Sequence, residues 1–140
     1  MFDDPKLIAT VQRWLDKAEN DLNTAIRTLK PPAAKCPTDT VGFHAQPCVE
    51  KYLKGLLIWR GMDFPKTHHL VTLMALVPTN DRPDLSPDEQ LLLTRYATVT
   101  RYPGDYDAIT LTEARQAVKI ARRVRKHIRA RLPKQALKAL

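Results

Sequence analysis

The feature that most limits the possible folds of this chain is the spacing of its apolar residues, which recurs every three or four positions through most of the sequence. This is the period of an α-helix with one apolar face, and no stretch of useful length shows the alternation of a half-buried strand. The apolar rows of the three longest segments are Leu7, Val11, Trp14, Leu15, Ala18, Leu22, Ala25, Ile26 and Leu29; Ala45, Val49, Tyr52, Leu53, Leu56 and Trp59; and Leu111, Ala114, Ala117, Val118, Ala121, Val124 and Ile128. The spacing therefore predicts an all-α fold.

Prolines, glycines and capping residues divide these rows into separate helices. PPAAKCP ends the first helix because successive prolines cannot continue it, and Gly61 suits the C-terminal end of the second. SPDE and TLTE are capping boxes that open two later helices, a short helix is expected over residues 70–77, and Pro133 ends or kinks the last helix. We predict an antiparallel up-and-down bundle of four to five helices, three long and two short. It forms a single domain over residues 1–133, followed by a basic C-terminal extension at 134–140.

The second helix is predicted in spite of a proline one turn after its first apolar residues, in the stretch FHAQPCVEKYLKGLL. A proline inside a helix costs about 3 kcal/mol or more, because it removes a donor and clashes with the carbonyl four residues earlier. The apolar row nevertheless continues on both sides of Pro47. We therefore predict one helix over residues 38–60 that bends just after His44.

Positive charge is concentrated at the C-terminal end of the chain, which carries a net charge of +8. Residues 115–140 contain ten Lys or Arg and no Asp or Glu, whereas the other 114 residues contain 13 basic and 15 acidic residues. A segregated basic stripe is typical of proteins that bind phosphate-bearing partners. It is equally consistent with a solvated helix face, and it could also face an acidic protein.

Composition narrows the class of protein further. No apolar run approaches the ~20 residues that span a bilayer, and MFDDPKLIATVQRW lacks the features of a signal peptide. We expect a cytoplasmic protein without membrane contact, whose two cysteines, Cys36 and Cys48, are reduced. The histidines and cysteines do not have the spacing of a metal site, so neither a metal nor a cofactor is expected.

The order of these segments resembles the HEPN (higher eukaryotes and prokaryotes nucleotide-binding) domain family. The resemblance rests on WLDKAENDLNTA, FHAQ-x-x-VEKYLK, G-x-x-x-PKTH-x-L, TRYPGDYD and TLTEARQAVKIARRVRKHI, in this order. It implies a helical bundle of prokaryotic origin that is commonly a homodimer, which we expect to form through the first and last helices. It also implies a nucleotidyltransferase partner in a toxin–antitoxin-like pair. Many members of the family are metal-independent ribonucleases with an Arg, four to six residues and a His near the start of the last long helix.

The ribonuclease motif is incomplete in this sequence. Arg101 stands at the corresponding place, but Asp105, Tyr106 and Asp107 follow where the histidine would be. Arg122 and His127 have the required spacing, but five residues on a helix correspond to about 140° of rotation, so the two side chains do not share a face. We therefore expect a non-catalytic protein that binds a nucleotide or RNA. The alternatives are a metal-independent ribonuclease toxin and a non-catalytic protein-interaction subunit.

Eight residues are the candidates for contact with a ligand: His44, Gln46, Lys51, Lys66, His68, Arg95, Arg101 and Tyr102. Their cations and imidazoles suit phosphate groups, and the tyrosine suits base stacking. Each also has a structural alternative, such as a hydrogen bond from His44 to a neighbouring helix or a turn formed around residues 101–106. Glu50 and Lys54 are expected to form an ordinary ion pair on the helix surface.

Overall fold

The structure, a computed structural model, describes residues 4–98 and 108–137. Within these ranges the chain forms five α-helices and no strand. The helices are α1 (Pro5–Thr28), α2 (Thr38–Trp59), α3 (Leu70–Leu76), α4 (Pro87–Thr98) and α5 (Leu111–Arg129). The predicted all-α fold is confirmed, and none of the described helices is long and apolar enough to cross a bilayer.

The helix ends follow the capping signals in the sequence. Ser86 and Glu89 form reciprocal side-chain-to-backbone hydrogen bonds at the start of α4, and Thr110 and Glu113 do the same at the start of α5. Gly61, at φ 72°, ends α2 in a Schellman motif in which Met62 N donates to Leu57 O at 2.9 Å. The predicted capping boxes and the glycine terminus are therefore present.

The four longer helices run alternately up and down. Three sets of contacts pair a later residue of one helix with an earlier residue of its neighbour, as antiparallel packing requires. Between α1 and α2, Leu15 contacts Gly55 and Asp21 pairs with Lys51. Between α1 and α5, Glu19 pairs with Arg125, and Ile26 lines a groove beside Arg122. Between α4 and α5, Glu89 pairs with Arg123, and Tyr96 donates to Glu113. The up-and-down bundle is confirmed.

Helix α2 lies at the centre of the bundle and packs against the other four helices. Most of its apolar side chains are buried, and even Gln46, Glu50 and Lys54 are less than 7% exposed. It continues as a single helix through Pro47. The predicted span of this helix is confirmed, while the bend at Pro47 stays a prediction.

The segment after α5 does not continue the helix. Helix α5 ends at Arg129, and a 3₁₀ turn follows at Lys134–Ala136. Gln12 of α1 donates to the carbonyl of Gln135 at 2.6 Å, and Ala136 is 1% exposed. The first residues of the C-terminal extension therefore pack against α1.

Candidate functional site

The FHAQ segment of α2 faces α1, where Asp21 joins two of the candidate ligand residues. Asp21 Oδ1 lies 2.9 Å from Nδ1 of His44, and Asp21 Oδ2 lies 2.5 Å from Nζ of Lys51. The carboxylate is only 12% exposed, so water screens these contacts weakly. Lys51 is therefore already paired with a carboxylate of its own chain. His44 makes a hydrogen bond to a neighbouring helix, which is the structural alternative to contact with a ligand.

A second cluster occupies one face of α2, where Gln46, Glu50 and Lys54 follow one another at intervals of four residues. Glu50 Oε2 lies 3.0 Å from Lys54 Nζ, and Glu50 Oε1 accepts from Gln46 Nε2 at 3.3 Å. The expected surface position of the Glu50–Lys54 pair is wrong, because both residues are buried. Nζ of Lys54 lies 5.4 Å from the ring centroid of Trp14 and 5.6 Å from that of Phe64, so aromatic rings cover the ammonium group.

The same cluster positions His68. Its Nδ1 lies 2.9 Å from Glu50 Oε1, and its backbone carbonyl accepts from Gln46 Nε2 at 2.8 Å. The imidazole is nevertheless 78% exposed. Glu50 thus fixes one ring nitrogen of an exposed imidazole and leaves the other, Nε2, available to a ligand.

A cavity of about 280 Å³ lies between these two clusters, lined by Asp21, Phe43, Gln46, Glu50, Lys51 and His68 among others. Each carboxylate in its wall already pairs with a lysine and contacts an imidazole. The wall therefore has no surplus of positive charge to attract phosphate. Within the described ranges, no three His, Cys, Asp or Glu side chains lie close enough to hold a metal ion.

The remaining ligand candidates do not join these clusters through any ion pair between described residues. Lys66 is exposed in the loop before α3, and Arg95 is exposed on α4. Arg101 and Tyr102 lie outside the described residues. The structure therefore brings together four of the eight candidates, His44, Gln46, Lys51 and His68.

Four arginines at the end of the basic stripe are engaged in ion pairs within the chain. Arg123 makes a bidentate pair with Glu89, with both N–O distances at 3.0 Å. Arg125 lies 2.5 Å and Arg129 lies 3.8 Å from Glu19 Oε1, and Arg131 lies 3.8 Å from Asp81. These arginines hold α5 and the chain after it against the rest of the bundle.

Glu19 is the centre of a buried polar network that sequence reasoning missed. It is 7% exposed and accepts hydrogen bonds from Arg125 and from the hydroxyl of Tyr52. Burial raises the pKa of Tyr52, and the hydrogen bond to Glu19 raises it further. Burial is the largest single influence on Arg125 and lowers its pKa, but the hydrogen bond to Glu19, the charge of Glu19 and the contacts with Tyr52 together outweigh it, so the pKa is raised. The only sequence signal was the place of Glu19 on the apolar face, between Ala18 and Leu22.

A different face of α5 keeps its positive charge. Arg115, Lys119, Arg122 and Lys126 are exposed, and none of them forms an ion pair with a described residue. They line two grooves of about 540 and 700 Å³ between α1 and α5, which share Ile26 and Arg122 and therefore adjoin. Lys30, just after α1, adds a fifth exposed cation. We call this surface the α1/α5 groove.

A model of the HEPN domain family matches residues 11–131. The chain belongs to the HEPN domain family. The chain is also similar to the crystal structure of TT1696 from Thermus thermophilus, with a TM-score of 0.68 and 25% sequence identity over 87% of this chain and 98% of that one. No curated protein sequence gave a significant match.

The structure does not assemble a ribonuclease pair in this HEPN domain from the described candidates. His127 places Nε2 2.8 Å from the carbonyl of Asp81, in the 3₁₀ turn before α4. Arg122 instead lines the α1/α5 groove. The two side chains thus serve different faces of α5, as their helical spacing predicted, and Arg101 lies outside the described residues.

Proposed function

We propose that this HEPN domain protein binds the phosphate groups of a nucleotide or RNA at the α1/α5 groove. It acts with a nucleotidyltransferase partner in a toxin–antitoxin-like pair. The observation that supports the binding function is the exposed row Arg115, Lys119, Arg122 and Lys126, which pairs with no carboxylate of the described chain. Exposed unpaired cations attract phosphates through charge and hydrogen bonds.

The contrast with the neighbouring arginines strengthens this proposal. A basic helix whose only task was to hold the bundle together would direct its cations towards acidic residues, as Arg123 and Arg125 are directed towards Glu89 and Glu19. Arg115, Lys119, Arg122 and Lys126 are exposed instead. The only acidic residue among the described ones that line the groove, Glu19, is already engaged by Tyr52, Arg125 and Arg129. The groove therefore has a net positive charge.

We propose binding without cleavage. Cleavage of RNA without a metal requires a base near the ribose 2′-hydroxyl and a cation near the phosphate. No histidine follows Arg101 at the spacing of the family motif, and the hydrogen bond of His127 to the Asp81 carbonyl directs its Nε2 away from Arg122. RNA incubated with the protein in EDTA should therefore stay intact.

The proposed assembly is a homodimer that binds the nucleotidyltransferase, which is the partnership implied by the family resemblance. If two copies closed the α1/α5 groove around a twofold axis, the five like charges of each groove would face those of the other. We therefore expect a dimer that uses other parts of α1 and α5 and leaves the groove open. Co-expression with a nucleotidyltransferase encoded beside this gene, followed by gel filtration, tests the partnership, and a neighbouring gene of another class would argue against it.

Fluorescence anisotropy with labelled RNA and labelled nucleotides at low salt tests the binding function. Binding should weaken steeply as salt increases, and an Arg122→Gln, Lys126→Gln double variant should weaken it at every salt concentration. Lys17→Gln is the matched control, because Lys17 is exposed on the face of α1 opposite Ile26. If no nucleotide or RNA binds at low salt, the proposal is wrong.

A further inference from the structure

The four cations of the groove form a straight row on α5. Arg115, Lys119, Arg122 and Lys126 are separated by four, three and four residues. At 100° per residue they lie within an arc of about 60°, and at 1.5 Å per residue they cover about 16 Å of helix. The helix thus presents one cation about every 5–6 Å along a line.

This interval is longer than the about 3.4 Å that separates successive phosphates of one duplex strand along the helix axis, so it suits a strand that is more extended than in a duplex. A row of four cations can therefore contact four successive phosphates. The two strands of a duplex wind around their axis, so their phosphates leave a straight row after a few nucleotides. A flexible single strand can follow the row along its length.

The side chains on the floor of the groove indicate whether it can recognise the bases of a bound strand. Its apolar residues are aliphatic: Leu22, Ile26, Leu29 and Val118. No aromatic side chain occurs among the described residues that line it, so the surface lacks the stacking platforms by which single-strand-binding proteins hold bases. Hydrogen-bonding side chains that could read base edges are few, with Asn23 and Gln116 the uncharged amides.

We infer that the α1/α5 groove holds a single-stranded polynucleotide through about four successive phosphates and without base preference. The inference rests on the proposed function and specifies its ligand. The strand lies along α5, with Arg115 and Lys126 contacting the first and last of these phosphates. An acidic protein segment is less well matched, because a regular row of exposed cations with intervals of about 5–6 Å corresponds to evenly spaced backbone charges.

The test compares uridine ligands of increasing length, from the mononucleotide to an octanucleotide, by fluorescence anisotropy with the full chain. Affinity should rise with each added phosphate up to about four and then increase only as the number of binding registers increases. The logarithm of the binding constant should fall with the logarithm of salt concentration with a slope of about −3, which is about 0.7 for each of four phosphates. Octamers of adenosine and of deoxyribonucleotides should bind within about threefold of the uridine octamer, and a duplex should bind more weakly per phosphate.

Single substitutions provide the positional control. Arg115→Gln, Arg122→Gln and Lys126→Gln should each reduce the salt slope by about 0.7, whereas Lys17→Gln should leave it unchanged. All of these positions are exposed, and unchanged circular dichroism will confirm that the variants fold.

The outcomes separate the inference from the proposed function. If the mononucleotide binds as tightly as the octamer, or if the duplex binds more tightly, the inference is overturned while nucleotide binding stands. If one base is preferred more than about tenfold, the inference of base independence fails. If polyglutamate binds and no nucleotide does, the groove serves an acidic protein, and both the inference and the proposed binding function are wrong.

Discussion

Replacement of Lys54 by methionine should destabilise the bundle strongly, although it preserves most of the side chain. The methionine would still pack between Trp14 and Phe64, but Glu50 would lose the ammonium that lies 3.0 Å from its Oε2. Both residues of the pair are less than 7% exposed, and removing one partner of a buried ion pair costs about 3–5 kcal/mol. Since domains are stable by about 5–15 kcal/mol, this loss would remove a large part of the total.

Urea unfolding followed by circular dichroism measures this effect. With a slope of about 1–3 kcal/mol per molar urea, Lys54→Met should lower the midpoint by more than about 1 M. Glu50→Gln should have a similar cost, and the double variant should lose much less than the sum, because no unpaired charge is left. Arg123→Met is the control for a more exposed pair and should cost about 1 kcal/mol. A loss below about 1 kcal/mol for Lys54→Met, or strict additivity in the double variant, would refute the reasoning.

Three further predictions concern stability. Gly61→Ala should cost about 1 kcal/mol in urea unfolding, because φ is 72° at this position, a conformation that residues other than glycine disfavour. The cost should be no larger, since no neighbouring atom lies close enough for the added methyl to strike. Gly42→Ala should cost about 1–3 kcal/mol in the same assay, because its new Cβ would lie 3.2 Å from Cβ of Tyr96 and strike the Ile109 side chain. The hydrogen bond from Arg123 lowers the pKa of Glu89 below its usual value of 4.5 in the folded protein. The ionised carboxylate therefore stabilises the fold at pH values above 4.5, and this contribution is lost as the pH falls through the lower pKa of the folded state. Glu89→Gln should therefore flatten the pH dependence of the melting temperature in the acid range, and an unchanged dependence would contradict this assignment.

The fold was predictable because its signals are local in sequence. The reciprocal bonds of Ser86 with Glu89 and of Thr110 with Glu113 depend on residues three positions apart. The left-handed conformation at Gly61 depends on one residue type. Signals that involve residues only a few positions apart can be identified in the sequence alone, and so can the apolar period that determines the buried face of each helix.

The polar clusters were not predictable in the same way, because they join residues far apart in the chain. Asp21 meets Lys51, and Glu19 meets Arg125 across 106 positions. The spacing of Glu50 and Lys54 predicted that they would pair, but burial depends on which helices cover α2, and this follows only from the packing. The division of the basic stripe into paired and exposed cations has the same origin, since it depends on where the carboxylates of α1 and α4 lie.

Pro47 depends on both local sequence and packing. Local sequence signals predict the helix that contains it, but its effect on stability depends on how the bundle packs around it. It lies inside a continuous α2 and lines the cavity beside Glu50 and His68. Pro47→Ala would supply the donor that a helix directs to the carbonyl of Phe43, a gain of up to about 3 kcal/mol, less about 0.4–1 kcal/mol for the greater freedom of the unfolded chain. We expect a net stabilisation of about 2 kcal/mol in urea unfolding, with a straighter α2 in a crystal structure. Pro87→Ala, at the favourable first position of α4, should not stabilise the protein. If Pro47→Ala is neutral or destabilising, the packing of the bundle depends on the proline ring, and the destabilisation that we expect from Pro47 is absent.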